Sequence, residues 1–114
     1  MQETAMYILQ EVKTLLNLQD DNSRDTLLQS IINLVYGRLL ARTGYKELPE
    51  GLFWILIEIT CSRYNLLGSE GVHSELNEGI QYIYDRNLLA EYEDDLERFL
   101  QDNPPPNKRK FRML

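Results

Sequence analysis

Pro49-Glu50-Gly51-Leu52-Phe53-Trp54-Ile55-Leu56-Ile57-Glu58-Ile59, continued by Thr60-Cys61-Ser62-Arg63-Tyr64-Asn65-Leu66-Leu67, decides the fold. Its β-branched content alone suggests a strand, but its length and its Pro-Glu opening favour a helix. Proline suits the first helical position, where its missing N–H has no partner to lose, and Glu50 follows in the first turn. A helix apolar on nearly every side is either surrounded by other helices or covered in part by another subunit. Trp54 belongs to this group, and a buried indole there makes its removal cost about 3–5 kcal/mol.

Working outward, the chain supplies partners for that helix. Upstream, Ile8, Val12, Leu15 and Leu16 recur at helical spacing and predict a helix over about residues 4–17. Asp20-Asp21-Asn22-Ser23 breaks the pattern, and Asn22 or Ser23 is the expected cap of a second helix over 23–42. Leu28, Ile31, Ile32, Val35 and Leu39 form its stripe, and Gly44 is its expected stop. Downstream, the polar, glycine-punctuated stretch 68–79 leads into Ile80-Gln81-Tyr82-Ile83-Tyr84, so residues 72–84 are expected to form an extended loop or a small β-hairpin. Leu89, Tyr92, Leu96, Phe99 and Leu100 mark a last helix over 89–102. The expected fold is mainly α: a small bundle of about four helices, with the loop or hairpin between the third and fourth. The helical domain is expected over 1–103. Residues 104–114 form an extended, proline-rich basic tail, eleven residues long, which at about 3.1 Å per residue spans roughly 30 Å.

The chain has 114 residues, 18 acids and 12 bases, for a net charge of -6. Four of the bases sit in the last seven residues, leaving -10 on residues 1–103. Such a body is a poor footprint for DNA, whose affinity comes mainly from phosphate neutralisation. No apolar run is long enough to span a membrane and no secretory signal is expected. A single cysteine, Cys61, excludes an internal disulfide and fits a cytosolic compartment.

Catalytic candidates are thin. His73, the only histidine, lies among Glu70, Glu75 and Glu78. A weak metal site is conceivable there, but an ordinary loop histidine is the better reading. Cys61 reads as a small core residue. Asp20-Asp21-Asn22 lacks the central glycine of a calcium loop and places Arg24 where a ligand belongs. Gly68 and Gly71 are not followed by a lysine-bearing helix, so no phosphate loop is present. No catalytic, metal or cofactor residue is assigned. The acid run from Glu91 to Glu97 reads either as a solvated helix face or as the lining of a pore.

Leu48-Pro49-Glu50-Gly51-Leu52, Trp54, Arg63-Tyr64-Asn65, Leu67-Gly68-Ser69-Glu70-Gly71, Ser74-Glu75, Glu78-Gly79 and Tyr82 together resemble the phage head–tail connector (portal adaptor) family of tailed phages and prophages. The resemblance covers roughly residues 8–101. It implies a structural virion protein at the head–tail interface, present in the host cytoplasm during assembly. It implies a homo-oligomeric ring, typically twelvefold, bound to the portal and offering a platform to a stopper or tail-completion protein. DNA passes through its channel without sequence-specific binding.

A ring needs two different, complementary patches on each copy. Trp54, Arg63, Tyr64, Glu70, Val72, Glu75, Glu78, Ile80, Tyr82 and Tyr84 are the expected subunit-interface residues. In this family the C-terminal segment engages the portal. That assigns docking to Phe99, Lys108, Arg109, Lys110, Phe111, Arg112, Met113 and Leu114. Leu76, Asn77 and the long basic tail are not fixed by the family pattern. The competing readings are a small acidic adaptor or regulator bound to one phage or host protein, and a nucleic-acid binder acting through the basic tail.

Overall fold

A computed structural model of the chain describes residues 2–68 and 89–106. Among them are four α-helices and no strand: α1 (Gln2–Leu15), α2 (Asp25–Thr43), α3 (Phe53–Gly68) and α4 (Glu93–Asp102). Short 3-10 turns, Glu50–Leu52 and Ala90–Tyr92, run directly into α3 and α4. The expected mainly helical bundle is the fold found. The loop or hairpin expected over 72–84 lies outside the described residues.

α3 packs chiefly against α2 and then against α1. The stripe expected on α2 is buried in full, and Ile8 and Val12 from α1 meet Leu52, Ile55, Leu56, Ile57 and Ile59 from the third element. α4 closes one side of this three-helix core through Leu96, with Leu89 ahead of it.

Each boundary that differs from expectation has a local cause. α1 stops at Leu15 because Asn17 takes the left-handed conformation (φ 62°) and Leu18 turns its N–H back to the Lys13 carbonyl at 2.7 Å. Leu15, expected on the buried stripe, is therefore left exposed, while Leu16 is half-buried. Neither Asn22 nor Ser23 caps α2, which starts without a side-chain cap. Ser23 instead donates its N–H and hydroxyl to the Asp21 carboxylate, at 2.9 and 2.6 Å, and holds that carboxyl below its ordinary pKa. Asn22 accepts a hydrogen bond from Lys13 Nζ at 2.7 Å.

Gly44 does stop α2, as expected, in the left-handed region at φ 88°. Its N–H donates to the Leu40 carbonyl at 2.8 Å. Pro49 is not the first helical residue: it is extended (ψ 151°) and caps the 3-10 turn, so the helical run begins one residue later.

Lys13 is buried in the body of the chain, with 3% of its side chain exposed, and pairs with Asp25 at 2.9 Å. This joins the end of α1 to the start of α2. Replacing Asp25 by alanine strands a buried cation with Asn22 as its partner. The expected cost is about 2 kcal/mol in urea unfolding, below that of a fully buried pair because Asp25 is partly open to water.

A candidate assembly surface

The apolar α3 is not enclosed. Trp54 keeps 43% of its surface exposed, and across from it on α1 Tyr7 keeps 51%. Between them lies a groove of about 780 Å³ running along α1 and the start of α3. Tyr7, Phe53, Trp54 and Ile57 line its apolar part, and Glu3, Glu11, Glu50 and Glu58 stand at its edges. No lysine or arginine lines it among the described residues.

Helical spacing builds both walls. Glu3, Tyr7, Glu11 and Leu15 follow one another at intervals of four along α1, which puts them in one line. Glu50, Trp54 and Glu58 repeat the same interval from the 3-10 turn into α3. Acids and largely apolar side chains thus alternate along each wall. Tyr7 and Phe53 meet across the groove with centroids 6.3 Å apart.

Trp54 also forms the wall of a second, smaller hollow of about 270 Å³, bounded by Gly51, Phe99 and Asn103. Its indole meets Tyr92 edge-on at 5.8 Å. The Tyr92 hydroxyl donates to Glu58 Oε1 at 3.0 Å. Burial and the nearby carboxylate of Glu58 push its pKa up to about 12, so it stays a neutral donor. This bond fixes Glu58 at the groove edge.

α4 is fastened to the body by side chains. Arg42 at the end of α2 donates to both oxygens of Glu93, at 2.7 to 3.2 Å, and to Glu97 at 3.0 Å. Part of the Glu91 to Glu97 acid run is therefore spent on an internal cation and not displayed to a pore. Tyr45 donates its hydroxyl to the Asn103 carbonyl and packs edge-on against Phe99. Pro105 is fully buried and lies beside Gly44, so the chain turns back onto the body beyond α4 before the basic residues begin.

Two expected results follow from this joint. A Cβ at Gly51 would stand 2.5 Å from Phe99 Cε1. Gly51→Ala therefore pushes the Phe99 ring aside, and its expected cost is about 1–2 kcal/mol in thermal unfolding despite alanine's better helix propensity. The second concerns pH. The Arg42 guanidinium holds the Glu93 carboxyl below its ordinary value of 4.5. A depressed carboxylate adds stability above its unfolded pKa and loses it as the pH falls through the folded one. The advantage of the wild type over Glu93→Gln should be constant above about pH 5.5 and fade as the pH drops below about 4.5. Urea midpoints measured from pH 6 to 3 check this.

Of the expected interface residues, Trp54 is exposed on the groove, Tyr64 is half-buried against the core and Arg63 is buried within the chain. Glu70, Val72, Glu75, Glu78, Ile80, Tyr82 and Tyr84 lie outside the described residues, as does His73. Of the expected portal-docking residues, Phe99 is half-buried in the α4 joint. Lys108, Arg109, Lys110, Phe111, Arg112, Met113 and Leu114 lie outside the described residues. Cys61 is half-buried, and burial with Glu58 nearby pushes its thiol pKa up, away from the reactive thiolate. The α1 wall is not among the residues the sequence singles out. Its signal is the four-residue interval from Glu3 to Leu15, which runs beside the more strongly apolar buried stripe.

A family model described as phage gp6-like head-tail connector protein matches residues 6–99. No curated protein and no solved structure matches the chain.

Proposed function

The chain belongs to the phage gp6-like head-tail connector family, and from that premise we propose that its copies close into a ring beneath the portal and continue the DNA channel toward the tail. The family is structural, and its members are virion components that join head to tail. The match across residues 6–99 carries this reading, because it takes in the buried helical core and all of the groove lining except Glu3 and Thr4.

Three physical features support the finer statement. The groove leaves aromatic surface uncovered on an isolated chain, which suits a contact made by another subunit. The surface is strongly acidic outside the last residues, so a channel lined by it repels phosphate and lets DNA pass without gripping it. No described helix is long and apolar enough to cross a membrane, so attachment falls to protein contacts.

The test is to mix the purified chain with portal rings and image the complex by electron microscopy. The expected result is a closed ring of copies, twelve in the proposed assembly, seated coaxially on the portal. A single copy bound to one partner with no ring would establish the adaptor reading in its place.

A further inference from the structure

The groove between α1 and α3 asks for a partner that brings cations to its edges and apolar groups to its centre. Among the described residues, one face of the same chain has that make-up. Arg24, Leu27, Leu34 and Arg38 follow at intervals of three, seven and four, which puts them on one strip of α2. Leu27 and Leu34 are exposed apolar side chains, Arg24 is exposed and Arg38 half-buried. From Thr26 to Thr43 the helix holds no acid. At its start, Asp21 is engaged by Ser23 and Asp25 by Lys13. No other described helix offers this combination. Met6 and Leu15 share α1 with Glu3 and Glu11, and the cation of that helix, Lys13, is buried. Leu66 shares α3 with Arg63, which is buried too.

We propose that this strip of α2 seats in the α1–α3 groove of the next copy around the ring. The proposal rests on the ring reading above and names the two faces that meet. A ring closes through two different patches on each subunit. α2 packs against α1 and α3 and lends no residue to the groove, so the two patches look out from different sides of one copy. Their spacing agrees. Leu27 and Leu34 stand about 10 Å apart along α2, and Tyr7 and Leu15 about 12 Å apart along the groove wall. With a leucine at each of these apolar steps, Arg24 and Arg38 lie just beyond them, within reach of the acid rows formed by Glu3, Glu11 and Glu50. Opposite charge then sets the register of the contact while the apolar groups leave water.

Charge reversal tests the pairing, with full-length chains placed on portal rings and imaged by electron microscopy. Arg24→Glu with Arg38→Glu reverses the strip, and Glu3→Lys, Glu11→Lys and Glu50→Lys reverse the groove edge. Either set alone should abolish ring closure with the helical content unchanged. Both sets in one chain should restore it, because the facing charges are again opposite. A second measurement leaves these charges intact. In a Cys61→Ser chain, Tyr7→Cys and Leu34→Cys are joined on portal rings by a short thiol cross-linker. The expected product is a ladder of linked copies, and either new cysteine alone should leave the copies unlinked.

Rings that withstand either reversal overturn the proposal and leave the connector reading intact. So does a doubly reversed chain that keeps its helical content and still fails to close, and so do rings in which Tyr7→Cys and Leu34→Cys do not link. Where a reversed chain loses helical content, the cross-linking result decides alone. Failure of the unaltered chain to form any ring removes both readings.

Discussion

Leu56→Ala should lower the unfolding free energy by about 3–5 kcal/mol, the upper range for a leucine truncated in a packed core. Leu56 is fully buried in the first turn of the helix around which the others pack. No side chain can enter the space without moving a helix, because interiors are packed as tightly as crystals. For a domain of this size the loss lowers the melting temperature by roughly 15 °C. Calorimetry and urea unfolding both measure it.

Trp54→Ala, two residues earlier on the same helix, should cost only about 1 kcal/mol in the isolated chain, because nearly half of the indole faces water and its ring contact with Tyr92 is edge-on. That replaces the figure of about 3–5 kcal/mol that full burial would give. The contrast separates the two faces of α3, one packed in the core and the other open to water.

Arg42→Glu should be the most damaging surface change, at about 2 kcal/mol. It removes a two-pronged bond to Glu93 and a second bond to Glu97, then sets a third acid against them. An exposed pair alone is worth about 1 kcal/mol at most, and the added repulsion makes up the rest. The loss is local: α4 should gain amide exchange while α1, α2 and α3 keep their protection, since α4 touches the core along one side only. Restoring opposite charge with Glu93→Arg in the same chain should recover most of the stability. A uniform rise in exchange would mean that α4 unfolds only with the whole domain.

The helices were legible because burial writes a period into the sequence. Leu28 to Leu39 predicted its buried face without error, and Gly44 marked the end of α2 because only a residue tolerant of positive φ serves there. Caps were less legible, since Asn22 and Ser23 are equally able to bond a helix end, a lysine or a neighbouring carboxylate. Other partners decide it: Lys13, at the far end of the turn, takes Asn22, and Asp21, two residues back, takes Ser23. Trp54 could not be placed from the sequence because an apolar helix does not say which of its sides lacks a companion. The α4 joint was illegible for a related reason, since Arg42 and Glu93 stand 51 positions apart and nothing local pairs them.

The buried Pro105 fixes where the chain leaves the helical body. Seated beside Gly44, it ties the stretch after α4 to the end of α2, so the residues that follow depart from that corner of the bundle and from nowhere else.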